Sequence, residues 1–279
     1  MPPQVWIGPA IQRAGLEVAL AVGRDGNTVR RSLARAFSVL ERHLMIEPWV
    51  KDDAAATHYR EITSLGEELL AEDAHREYVF GLPYVVKRWS GSMVYLYGEG
   101  IGTGFLVSPR HVVTARHVLE ELKFKFSVGR GEDELPVAGH TLPKESSGDL
   151  DLAIVELKAD VPGVEPMRLG LHVDALDEVV AFGYPPVPQT RGVHLLVNRG
   201  EVSAQVKLHN GYEAILVTCL LRGGYSGGPV VNKRGRVVGV VSRNLFKDLA
   251  PEEKSLNEGL GLAAAVPAQW VEDLVAGKV

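Results

Sequence analysis

The 279-residue chain carries a formal charge of −5, so it lacks the basic field that nucleic-acid binding requires. Its single cysteine, Cys219, excludes an intramolecular disulfide and fits a reducing compartment. No apolar run reaches the ~18 residues of a membrane span. Arg13 and Glu17 interrupt the first apolar stretch, so no secretory leader is expected and a cytoplasmic location follows.

Residues 1–82 read as a helical module. A short helix is expected over residues 9–22, before the turn Gly23-Arg24-Asp25-Gly26. From Asn27, an N-cap, the residues Val29, Leu33, Phe37, Leu40 and Leu44 recur on one helical stripe, which Pro48 ends. A second helix is expected from Asp53 to His75, with Tyr59, Ile62, Leu65 and Leu69 on one face. His58, Glu61 and His75 show no tight ligand cluster; they read as solvated helix positions, and no metal or cofactor is expected.

The character changes at Gly81-Leu82-Pro83. Strands are expected at Tyr84-Val85-Val86, Ser92 to Tyr97, Phe105 to Val107 and His111 to Thr114. Gly98, Gly100, Gly102 and Gly104 read as a turn and bulge between the second and third of these. Further strands are expected at Leu152 to Leu157, Glu178 to Phe182, Gly192 to Ala204, Tyr212 to Thr218, Pro229 to Val231 and Val237 to Ser242. Turn signals such as Pro162-Gly163 and Asn232-Lys233-Arg234-Gly235 separate them, and a helix closes the chain from Pro267 to Val275. Many short strands with little helix argue for an all-β sandwich or barrel pair.

Chemistry concentrates at Gly223-Gly224-Tyr225-Ser226-Gly227-Gly228-Pro229. A serine hydroxyl is a weak nucleophile until a base takes its proton, and a glycine-flanked turn can aim main-chain N–H groups at an oxyanion. Of nine histidines, His117 is the best base, because it follows an apolar strand through Thr114 and Ala115. His111 reads as a strand-edge residue. Asp151 stands directly before the apolar run Leu152-Ala153-Ile154-Val155, where a half-buried carboxylate can accept the imidazole N–H. Asp149 has the same chemistry but sits beside Gly148 in a turn.

The order His117, Asp151, Ser226, with Thr114-Ala115-Arg116-His117, Asp151-Leu152-Ala153 and Gly224-Tyr225-Ser226-Gly227-Gly228-Pro229, resembles the chymotrypsin-like serine peptidases. Within them the chain is most similar to the HtrA-like (Deg) protease domain. Gly102 to Val107, Val179 to Pro185, Arg199 to Ala204 and Gly259 to Pro267 look like further strands of that domain. The resemblance implies two six-stranded antiparallel barrels over residues 83–279, preceded by the helical module and closed by the C-terminal helix. It implies Ser226 as nucleophile, His117 as general base and then acid, and Asp151 as orienter, with the N–H groups of Gly224 and Ser226 as oxyanion hole. Ser242, Arg243 and Asn244 match the segment that pairs with an extended peptide. Leu220, six residues before the serine, falls near the base of the primary specificity pocket, where an apolar residue implies preference for a small or medium apolar side chain.

The chain departs from the family at Tyr225, where Asp or Asn is usual. No peptide-binding PDZ module is expected after the closing helix, and Val118 stands where the animal enzymes have cysteine. The expected function is an intracellular bacterial serine endopeptidase acting on polypeptides, recruited, regulated or self-associated through residues 1–82. The alternatives are a binding module that uses the fold without turnover, and an esterase-like hydrolase.

Overall fold

The computed structural model describes residues 37–46, 50–52, 57–59, 62–144, 150–209, 211–242 and 261–279. The chain divides into two compact units, Met1–Tyr84 and Val85–Val279. The helix expected over 9–22, the turn at 23–26 and the first part of the helix expected from Asn27 fall outside the described residues.

In the first unit residues 37–42 are helical, on the expected stripe. The continuous helix expected from Asp53 to His75 is instead several elements. Val50–Asp52 (β1) and Thr57–Tyr59 (β2) pair antiparallel, and helices follow at Ser64–Ala71 (α1) and His75–Phe80 (α2). Local chemistry sets these breaks. Thr63 caps α1, its hydroxyl accepting from Gly66 N at 3.0 Å, and Asp73 takes a left-handed φ of 53° that helix cannot continue through. Leu40, Met45, Ile46, Leu69 and Ala74 form the small core of this unit.

The strand expected at Tyr84-Val85-Val86 is also corrected. Leu82–Trp89 is a helix (α3), with Pro83 in its first turn, where proline is tolerated, and with Val85 and Trp89 buried four residues apart on one face. The Arg88 guanidinium lies 4.7 Å from the centroid of the Trp89 ring and pairs with Glu165.

The second unit holds two sheets. The first is built from Met93–Tyr97 (β3), Ile101–Leu106 (β4), His111–Thr114 (β5), Ser127–Arg130 (β6), Asp133–Leu135 (β7), Val137–Thr141 (β8) and Ala153–Leu157 (β9), in the order β7-β6-β3-β4-β5-β9-β8. A helix, Arg116–Glu121 (α4), follows β5. Only Pro136 separates β7 from β8, which form the two edges of the sheet. They act as one strand bent at a residue with no N–H to give, and the sheet curls into a nearly closed six-stranded barrel. Val94, Leu96, Leu106, Val112, Val118, Leu119 and Val155 fill it. The turn and bulge expected across Gly102 and Gly104 is absent. Both lie inside β4, where a Cβ at Gly102 would come within 2.4 Å of Val118 Cγ1.

The second sheet comprises Arg168–Leu169 (β10), Glu178–Gly183 (β11), Leu196–Lys207 (β12), Glu213–Val217 (β13), Pro229–Asn232 (β14), Arg236–Val241 (β15) and Ala263–Pro267 (β16). Its order is β10-β15-β14-β11-β12-β13-β16, and an added β15–β16 pairing closes the last six into an antiparallel barrel. Val179, Ala181, Val202, Ile215, Val217, Val230 and Val238 fill this core. Helix Gln269–Val275 (α5) follows, close to its expected bounds. The polar β6, β7 and β8 escape sequence reading because their exposed or mixed faces lack the alternation that marks a half-buried strand.

Candidate active site

Strand register brings the first two site residues together. β5 and β9 pair antiparallel with Thr114 opposite Ala153, so the chain leaving β5 meets the chain entering β9 just beyond the sheet. His117 lies three residues past one strand end, in the first turn of α4, and Asp151 two residues before the other. Asp151 Oδ2 is 2.7 Å from His117 Nδ1, and Oδ1 accepts the His117 backbone N–H at 2.9 Å. Both side chains are buried. A carboxylate only accepts, so Nδ1 carries the proton and Nε2 presents its lone pair. Nε2 is buried and has no hydrogen-bond partner among the described residues.

A third group was not foreseen in this role. The Ser242 hydroxyl donates to Asp151 Oδ2, and its backbone N–H donates to Ala264 O at 3.1 Å. Ser242 was expected along the substrate through its segment; its side chain serves the carboxylate. Burial alone would raise the Asp151 carboxyl. The hydrogen bond and charge of His117, with the bond from Ser242, outweigh burial and hold it below the ordinary aspartate range.

Ser226 sits in the connection between β13 and β14, which has no regular structure of its own. Tyr225 N donates to Arg222 O at 3.2 Å, Gly228 N to Tyr225 O at 2.8 Å, and Gly227 N to Val241 O at 2.8 Å, one residue before Ser242. Gly227 is at φ +81°, and a Cβ there would fall 2.2 Å from Thr114 Oγ1 and 2.8 Å from Ala115 N. The serine turn is therefore pressed against the strand end that leads to His117. Gly224, at φ +96°, leaves room for no side chain, since a Cβ would sit 2.5 Å from Pro185 Cα and 2.7 Å from Tyr184 O. The N–H groups of Gly224 and Ser226 make no hydrogen bond among the described residues, as donors reserved for an oxyanion would. Ser226 is buried, and its hydroxyl makes no hydrogen bond to His117. Such bonds are commonly long until substrate binds.

Tyr225 is packed in the core of the second barrel and is 2% exposed. Asn198 Nδ2 donates to the Tyr225 hydroxyl at 2.7 Å and to Leu220 O at 2.8 Å. Burial raises the Tyr225 phenol, with a smaller contribution from Cys219. Burial likewise pushes the Cys219 thiol up to about 11, which leaves it an inert core group. The Leu220 side chain is 65% exposed, and its carbonyl accepts from Asn198. Arg243 and Asn244 lie outside the described residues, as does Asp149. No cluster of metal-ligating side chains occurs among the described residues.

Residues 102–240 match the family model of the trypsin-like peptidase domain. The chloroplastic Protease Do-like 2 of Arabidopsis thaliana is 32% identical over 180 residues, 62% of this chain and 28% of that protein. A probable periplasmic serine endoprotease, DegP-like, of Chlamydia pneumoniae is 30% identical over 145 residues, 50% of this chain and 28% of that one. The chain thus spans little more than a quarter of the length of these relatives. Among solved structures, Deg5 matches with a TM-score of 0.51 at 22% identity, covering 68% of this chain and 89% of that one. The inactive form of Rv3671c from M. tuberculosis gives 0.51 at 20% identity, covering 69% and 89%.

Proposed function

Residues 102–240 belong to the trypsin-like peptidase family, and on that premise we propose that the chain is a serine endopeptidase that cleaves polypeptides through an acyl-enzyme. Ser226 Oγ attacks the scissile carbonyl while His117 Nε2 takes its proton. Asp151 holds the Nδ1–H tautomer and balances the imidazolium. The N–H groups of Gly224 and Ser226 receive the oxyanion. The imidazolium then protonates the leaving amine, and water activated by the same base releases the acyl group. The observation that carries this reading is the His117–Asp151 bond, made at both the side chain and the main chain, which leaves Nε2 buried and without a partner among the described residues.

Ser226→Ala tests it. Hydrolysis of an unfolded protein substrate should fall by about 10⁴–10⁶-fold, and labelling by a fluorophosphonate probe should disappear. Wild-type turnover in that variant would sink the assignment.

The N-terminal unit, with its own small core, recruits or regulates the peptidase or mediates self-association. Removing residues 1–82 and comparing molecular mass and protein turnover tests this; values equal to the full chain remove the role. A reducing bacterial cytoplasm suits a chain whose one cysteine is a buried thiol. Fractionation of the source cell checks that location, and activity confined to an extracytoplasmic fraction would overturn it.

A further inference from the structure

The residue that sets the oxyanion turn lies in the other barrel. Thr103, in β4, is fully buried, and its polar atoms reach three segments. Its hydroxyl accepts from Tyr184 N at 2.9 Å, so its one proton is free to be donated, and it goes to Gly224 O at 2.6 Å. Its backbone N–H donates to Ser226 O at 2.9 Å. Its carbonyl accepts from the Thr114 hydroxyl at 2.7 Å, on the strand that leads to His117. One residue thus holds the carbonyls of Gly224 and Ser226, whose N–H groups have no partner among the described residues.

This bonding has a consequence for the turn. With no Cβ, Gly224 can take either sense of φ, so nothing in its own chemistry keeps its peptide groups in one orientation. Its carbonyl would otherwise be a buried acceptor held only by Tyr184 N at a long 3.4 Å. From this geometry we infer that Thr103 is a positioning residue for the oxyanion hole. Its hydroxyl pins the Gly224 carbonyl into the inter-barrel seam, and the N–H groups of Gly224 and Ser226 stay aimed at the reacting carbonyl. The inference rests on the peptidase reading above and deepens it.

The experiment compares Thr103→Val, which keeps the shape without the hydroxyl, with Thr103→Ser, which keeps the hydroxyl, in the full chain. Readouts are kcat and KM on a chromogenic peptide, affinity for a peptide boronate that mimics the tetrahedral adduct, affinity for the cleaved peptide, and melting temperature. Thr103→Val should lower kcat and boronate affinity together by about 10–100-fold, below the roughly 10²–10³-fold that outright loss of one oxyanion donor costs, because the donors are misaimed rather than removed. KM and product affinity should stay within about twofold, because ground-state binding is untouched. Thr103→Ser should restore kcat to within about threefold. If the valine variant does not fold, Thr103→Cys retains the volume with a weaker donor, and its kcat should fall between those of serine and wild type on one side and complete loss on the other. Wild-type kcat and boronate affinity in Thr103→Val or Thr103→Cys would overturn the role, as would a loss confined to KM. A wild-type chain that neither turns over peptide nor binds boronate would overturn the peptidase reading itself, a result separate from any of the variant outcomes.

Discussion

The two barrels deliver their site residues by different means. In the first, His117 and Asp151 hang from the ends of two hydrogen-bonded strands, and the pairing of Thr114 with Ala153 is enough to bring imidazole and carboxylate together. In the second, Ser226 rides on an irregular connection between β13 and β14, whose shape depends on positive-φ glycines and on side chains reaching in from elsewhere. A sheet fixes a pair of residues through many redundant backbone bonds, whereas this turn rests on a few. The His117–Asp151 pair is therefore the rigid half of the proposed site, and the serine turn is the half that substitution can loosen.

The largest effect is expected where the rigid half is changed in chemistry but not in shape. Three donors converge on Asp151: the His117 N–H, the His117 Nδ1–H and the Ser242 hydroxyl. An amide offers one accepting oxygen and two N–H groups, so Asp151→Asn sets a donor against a donor and favours the wrong imidazole tautomer. A kcat loss of about 10⁴-fold is expected with KM little changed, read by single-turnover acylation. The same variant reports on stability. Because the folded carboxyl lies below its ordinary value, Asp151 binds protons more weakly folded than unfolded. Its contribution is fully present above the unfolded value, near pH 4, and is lost as pH falls through the lower folded value. Denaturant melts should therefore show a steeper acid loss below about pH 4 in wild type than in Asp151→Asn. Parallel acid limbs would mean that the carboxylate carries no such linkage, and that the sheet alone holds the pair.

The same contrast decides what can be read from the sequence. His117 and Asp151 are legible because each abuts an apolar strand, a local pattern that survives without knowledge of the fold. Ser226 is legible because glycines crowd it on both sides. The helix at Leu82–Trp89 is misread as a strand since three apolar residues in a row carry no period, and only the burial of Val85 with Trp89 reveals the helical face. Ser242, Thr103 and Asn198 are invisible as site supports. Each acts on a partner far along the chain, 91 residues away for Ser242 to Asp151 and 121 for Thr103 to Gly224, and a lone polar side chain has no local signature. The one hint is Tyr225 itself: an aromatic where a small polar residue is usual needs both an apolar bed and a partner for its hydroxyl.

That partner gives the smallest effect, and it bears on how few contacts hold the serine turn. Asn198 spends both amide protons on the serine connection, one on Leu220 O and one on the Tyr225 hydroxyl, while the Tyr225 ring fills the barrel core. Tyr225→Phe keeps the ring and removes the acceptor, leaving one Asn198 proton to find another partner. Asn198 is only partly buried, so that proton has access to water and the penalty is that of one ordinary hydrogen bond, about 1 kcal/mol. Thermal unfolding should shift down by about 2–4 °C, and kcat should fall no more than about fivefold, the kinetic equivalent of the same energy. A kcat loss far beyond the stability loss would mean that the phenol hydroxyl, rather than ring packing and the Gly224 carbonyl bond, keeps the turn in register. The second barrel would then depend on a single amide as sharply as the first depends on its carboxylate.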